Sequence, residues 1–77
     1  MNGISYRKLV KLLAKNKTRI YVDSSRAKGS HRLLVRDGVD GSKCSYPLPF
    51  HGMKTLIPPK MLVRIIQRFD LPPDIFD

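Results

Sequence analysis

Between Ser5 and Lys15 the apolar residues Tyr6, Leu9, Val10 and Leu13 recur at steps of three and four, which lines them along one face of a helix. Ser5 stands where an N-cap belongs, and its hydroxyl can satisfy a free amide of the first turn for about 1 kcal/mol. Lys8 occupies the place where a capping box has Glu or Gln. Arg7, Lys11 and Lys15 form a basic row on another face, a pattern that is more often a solvated surface than a ligand site. Arg19 to Asp23 alternates around Ile20 and Val22 and predicts a half-buried strand, followed by a polar turn from Ser24 to Gly29. His31 to Arg36 predicts a second strand, and strand parity puts His31, Leu33 and Val35 on the core side with Arg32, Leu34 and Arg36 outward. Asp37-Gly38-Val39-Asp40-Gly41-Ser42 carries two Asp-Gly pairs suited to the positive φ of a hairpin connection. Lys43 to Leu48 predicts a third strand, closed off by Pro47 and Pro49 because proline removes a ladder donor.

After a loop from Phe50 to Ile57, Pro58 and Pro59 can open a helix where their missing amides cost nothing. Met61, Leu62, Ile65, Ile66 and Phe69 mark its apolar face, and Lys60, Arg64 and Arg68 make a second basic row. Pro72 and Pro73 forbid continuation and leave an acidic, partly apolar tail, Asp74-Ile75-Phe76-Asp77. The order helix, three strands, helix predicts an α+β fold: an αβββα two-layer sandwich with two helices on one face of a three-stranded antiparallel sheet. One domain spans 1–77, with the acidic C-terminal tail at 70–77. The same element order is that of double-stranded RNA-binding domains, an analogy that does not by itself establish function.

Charge sharpens this picture. Fifteen Lys and Arg face six acidic residues, all aspartate, and Asp70, Asp74 and Asp77 lie beyond the last basic residue. So dense a positive field favours a polyanionic partner through counterion release and electrostatic steering, with nucleic acid the first candidate. At 77 residues the chain is near the lower limit for an unaided core, yet 42% hydrophobic content argues against wholesale disorder. Cys44 is the only cysteine, so no internal disulfide can form; it reads as a small buried hydrophobe in a reducing compartment. Two histidines and one cysteine at scattered spacing do not make a zinc site, and neither a metal nor a small-molecule cofactor is expected. The short apolar stretches exclude a membrane span and a signal peptide, and the expected location is the cytoplasm.

Lys28-Gly29-Ser30-His31-Arg32 is the segment richest in chemistry. Gly29 permits close backbone approach, Ser30 offers a hydroxyl, Lys28 and Arg32 bring positive charge, and His31 brings an imidazole that can give or take a proton. RNA supplies its own nucleophile, the 2′-hydroxyl. Cleavage then needs a base for that proton, an acid for the departing 5′-oxygen, and cations beside the phosphoryl oxygens. On composition and parity alone a core-edge or surface histidine is the commoner role for His31. Tyr21 and Tyr46 lie on candidate strands, where stacking on bases competes with ordinary packing.

The run Arg7-Lys8-Leu9-Val10-Lys11-Leu12-Leu13, then Lys28-Gly29-Ser30-His31-Arg32, then Pro49-Phe50-His51-Gly52 before a proline-led helix resembles the HicA (YcfA) family of bacterial mRNA interferases. The resemblance runs from Ser5 to about Leu71, and its specific part is the Gly-Ser-His triplet. It implies a fold like that of double-stranded RNA-binding domains and a metal-independent endoribonuclease toxin acting on mRNA, with His31 as the essential acid/base group. It also implies a HicB-type antitoxin partner that covers the active site. His51 matches the family's second histidine, either as the other half of an acid/base pair, as a phosphate ligand, or as a loop residue organising the approach to the last helix. Lys54 stands where the family often has a basic residue for phosphate. Three departures mark this chain: a longer Val22 to Lys28 loop, the Pro-Phe pair before His51, and the extension from Leu71 to Asp77. A non-catalytic double-stranded RNA-binding module fits the same fold and charge.

Overall fold

A computed structural model describes residues 2–25 and 29–77. The element order is β1 (Ile4–Ser5), α1 (Tyr6–Lys15), β2 (Tyr21–Asp23), β3 (His31–Asp37), β4 (Lys43–Pro49), β5 (Leu56–Ile57) and α2 (Pro59–Phe69). An antiparallel sheet in the order β2-β3-β4 forms one layer and the two helices the other, so the predicted α+β sandwich is the fold observed. Ser5 caps α1, its Oγ accepting the Lys8 N–H at 3.1 Å. Pro58 takes the N-cap place of α2 in extended backbone, and Pro59 opens the helix, where proline's fixed φ suits the first turn. Arg7, Lys11 and Lys15 on α1 and Lys60, Arg64 and Arg68 on α2 are exposed, as expected of basic rows.

The core joins Leu9 and Leu13 of α1 with Leu62, Ile65 and Phe69 of α2, over Leu34 and Leu48 of the sheet. This reverses the predicted parity of β3. Leu34 faces the helices, between Arg32 and Arg36, while His31 and Leu33 lie on the opposite, helix-free face. Val35 shares that open face and is nevertheless buried, with Tyr21 and Ser45 as its cross-strand neighbours. Counting apolar residues misled because the two arginines behave amphipathically. Their aliphatic stems accompany Leu34 inward and their guanidinium groups lie over Phe50 (3.7 Å) and Phe69 (5.6 Å). Arg36 also donates to the Phe69 carbonyl at 2.7 Å, one of the C-terminal carbonyls of α2 that lack a helical partner.

Pro47 and Pro49 do not close β4 but belong to it, opposite Leu33 and His31. Antiparallel pairing alternates, so the β3–β4 bonds run through Arg32–Leu48, Leu34–Tyr46 and Arg36–Cys44, and the proline nitrogens face the free edge where no donor is needed. At that edge Arg68 Nε donates to the Ser45 carbonyl at 3.1 Å, and the Cys44 thiol donates to the Arg68 carbonyl at 3.4 Å. Cys44 is half-buried, less enclosed than expected. In the hairpin Gly41 takes the predicted positive φ of +86°, whereas Gly38 does not but lies close under the Ser42 and Asp40 side chains. A Cβ there would lie 2.6 Å from Ser42 Oγ and 2.9 Å from Asp40 Oδ1.

Two features were not anticipated. Within the predicted Phe50 to Ile57 loop, β5 pairs with β1 through Ile4–Ile57 and Ser5–Leu56, a ladder too short to show periodicity. The tail also folds back: Leu71, Ile75 and Phe76 are buried in the core cluster, after Asp70 turns the chain with φ +52° and the Leu71 N–H donates to the Ile66 carbonyl at 2.9 Å. Among the described residues no helix is long and apolar enough to cross a membrane.

Candidate active site

The site is built where β3 begins and β4 ends. Gly29 has φ +61° and open space where a Cβ would be, so its backbone is free to meet a ligand. The Ser30 carbonyl accepts the Phe50 N–H at 2.5 Å, which extends the β3–β4 ladder one step past His31–Pro49. His31 is therefore held between two neighbours, Ser30 and Arg32, whose backbones bond to Phe50 and β4. Its imidazole is exposed on the helix-free face, not buried at the core edge. Lys28, the first cation of the segment, lies outside the described residues, as do Arg26 and Ala27 of the turn that the sequence suggested there.

The strand register carries a second histidine to this end. Pro49 opposes His31, and His51 follows two residues later in an exposed turn. Pro49, His51, Gly52, Met53, Lys54, Thr55 and Leu56 line an open depression of about 840 Å³, within the size range of ligand sites. His51 and Lys54 are both exposed there, so the structure brings His31, His51 and Lys54 to one end of the sheet.

Arg32 is placed differently. As the next residue of β3 it projects to the helix side, where its guanidinium stacks on Phe50, and Tyr6 meets the same ring at 4.7 Å with an interplanar angle of 68°. There Arg32 joins Arg7 and Lys11 around a groove of about 360 Å³ floored by Tyr6, Val10, Val22 and Met53. Met53 borders both depressions, so His51 and Lys54 on one side and the three cations on the other meet at this residue. Tyr21 is 42% exposed on the open face, whereas Tyr46 packs on the helix side.

Acidic groups are mostly elsewhere. Asp37 and Asp40 sit at the hairpin, at the other end of β3, with Lys43 Nζ 4.0 Å from Asp37 Oδ1. Asp40 accepts the Ser42 hydroxyl (2.6 Å) and amide (3.0 Å), which hold its carboxyl below the usual aspartate range. Asp23, near the histidine end, accepts from the amide and hydroxyl of Ser25. Among the described residues no group of three His, Cys, Asp or Glu side chains is placed to hold a metal ion.

This arrangement can exchange protons at two exposed imidazoles and attract phosphate to Lys54 beside His51 and to Arg7, Lys11 and Arg32 on the helix side. Sequence reasoning overlooked Phe50 and Thr55. Phe50 joins the Ser30 backbone to the Arg32 side chain, and Thr55 closes the His51 turn by accepting the His51 N–H at 2.8 Å. The signal for Thr55 was its hydroxyl four residues beyond His51 with Gly52 between, a pattern suited to a side-chain-closed turn. Comparison with protein-family models, curated proteins and solved structures found no match for the chain.

Proposed function

We propose that the protein is a ribonuclease that cleaves RNA through the substrate's own 2′-hydroxyl, with His31 as general acid/base and no metal. Within that class we assign it to the HicA type: a cytoplasmic toxin endoribonuclease acting on mRNA and neutralised by a HicB-type antitoxin. The observation that carries the reading is the exposed His31 imidazole, held by strand pairing at the same end of the sheet as His51 and Lys54. In the reaction the 2′-oxygen bonds to phosphorus as its proton passes to a base, and the bond to the 5′-oxygen breaks as an acid protonates it. A 2′,3′-cyclic phosphate remains. His31 performs one of these transfers, and His51 is the candidate for the other or for the phosphate. Gly29 and Ser30 offer backbone and hydroxyl beside it, Lys28 and Lys54 supply positive charge for the phosphoryl oxygens, and Arg32, on the helix side with Arg7 and Lys11, binds the RNA backbone beyond the reacting phosphate.

The test is a labelled transcript incubated with wild type and with His31→Ala, alongside expression of both in a bacterium. Cleavage is expected to fall by about 10²- to 10⁴-fold in the variant, and growth arrest to disappear. Folding stability should stay within about 0.5 kcal/mol, because the imidazole is exposed. Cleavage should survive EDTA. Full toxicity of the variant would remove the assignment. The αβββα order and the exposed row Arg7, Lys11 and Lys15 support a second reading, a double-stranded RNA-binding module without catalysis. A transcript that shifts on a gel but stays intact would favour it.

A further inference from the structure

Resting on the ribonuclease reading, we propose that Thr55 is a positioning residue that sets the place of His51 in the reaction. Five hydrogen bonds converge on the turn that carries this histidine. The His51 N–H donates to Thr55 Oγ1 at 2.8 Å, and that hydroxyl donates onward to the Gly52 carbonyl at 2.7 Å. The Thr55 N–H reaches the same carbonyl at 3.1 Å. The turn is then fastened to the first amides of α1: Tyr6 N–H donates to the Thr55 carbonyl at 2.7 Å and Arg7 N–H to the Met53 carbonyl at 3.1 Å. On the other side of His51, Phe50 is fixed by its bond to Ser30 and by the Tyr6 and Arg32 contacts on its ring.

The Thr55 hydroxyl is the member of this network that grips the His51 backbone itself. Removing it leaves the Thr55 N–H on Gly52 and both α1 amides on the turn, so the loop persists while His51 loses its anchor. Gly52, with φ +127°, gives the released segment a permissive pivot. A group that transfers a proton must lie within hydrogen-bond reach of it, and displacement by about 1 Å can cost up to about 100-fold in rate.

The experiment compares Thr55→Val and Thr55→Ser with wild type on the labelled transcript, and repeats Thr55→Val in the His51→Ala background. Amide exchange at His51 is followed in parallel without RNA. Thr55→Val should lower kcat by about tenfold with KM little changed, flatten the limb of the pH profile that belongs to His51, and speed exchange of the His51 amide. Thr55→Ser, which keeps the hydroxyl, should restore all three. In the His51→Ala background Thr55→Val should cost nothing more, since its effect passes through that side chain. Equal losses in both backgrounds, or Thr55→Ser behaving like Thr55→Val, would overturn the inference while leaving the ribonuclease intact. If Thr55→Val does not fold, the outcome for Thr55→Ala decides by the same criteria. Wild-type protein that leaves the transcript whole would remove the ribonuclease reading and this inference together.

Discussion

Substituting Phe76 by alanine tests whether the C-terminal segment is part of the fold or an appendage. Phe76 is 3% exposed and Ile75 6%, and both belong to the same cluster as Leu9, Leu62 and Phe69. Truncating a phenylalanine in a rigid core costs about 3–5 kcal/mol, because transfer energy and a residual cavity add. Here a cavity is not the only response. Beyond Leu71 the segment's backbone bonds are its own turns, Ile75 N–H to the Pro72 carbonyl and Asp77 N–H to the Asp74 carbonyl, so it can lift away instead. Lifting recovers conformational entropy but exposes Ile75 as well, forfeiting about 1.5–3 kcal/mol for each side chain. The cheaper route wins, and the expected loss is about 2–4 kcal/mol. That is a large fraction of the roughly 4–12 kcal/mol that about 0.05–0.15 kcal/mol per residue gives a chain of this length. For a domain of this size each kcal/mol moves the midpoint by about 4–8 °C, so the melting curve should shift by at least about 8 °C. Urea and thermal unfolding followed by far-ultraviolet circular dichroism would measure it. A loss below about 0.5 kcal/mol would refute the docking, and with it the claim that the tail completes the core.

The reversed parity of β3 makes a paired prediction. Leu34→Ala should cost about 2–5 kcal/mol, whereas Leu33→Ala, on the half-covered open face, should cost about 1 kcal/mol; equal losses in denaturant titrations would contradict the assigned faces. At the hairpin, Ser42→Ala should move the Asp40 carboxyl back toward the ordinary aspartate range, read by carboxyl chemical shifts against pH. Because folding lowers the Asp40 pKa, its contribution to stability is present above the usual aspartate value and fades as pH falls through the folded one, so the variant should lose part of that acid-range slope. The Ser42 amide bond survives the substitution, and a complete return to the ordinary value would mean that the hydroxyl alone holds the shift.

The elements were legible because their signals are local. The spacing of Leu9 and Leu13, the Ser5 cap, the Asp-Gly turn and the Pro58-Pro59 start each act within a few residues, and each was found where the sequence placed it. The faces of the sheet were not legible by the same route. Arg32 and Arg36 count as polar in any alternation, yet each has an aromatic ring to lie on and Arg36 a helix carbonyl to satisfy, and neither partner is visible from β3 alone. Burial of Ile75 and Phe76 was hidden for a related reason: two apolar residues between aspartates show no period, and only the sharp turn at Asp70 directs them back.

For the candidate site the decisive link was long-range but still calculable. Once the turn is placed between Asp37 and Lys43, antiparallel pairing without a bulge must set Pro49 opposite His31. It follows that Phe50 can bond back to Ser30 and that the chain delivers His51 to the end where the Gly-Ser-His triplet begins. Reading Pro47 and Pro49 as strand terminators broke this inference one step short, because a proline ends a ladder only when its nitrogen faces the partner strand. In β4 both nitrogens face the free edge, so the ladder continues and the two histidines share one end of the sheet. The same parity that carries Leu34 inward turns His31 outward. A single register thus governs both how the core is filled and which imidazole a polyanion can reach.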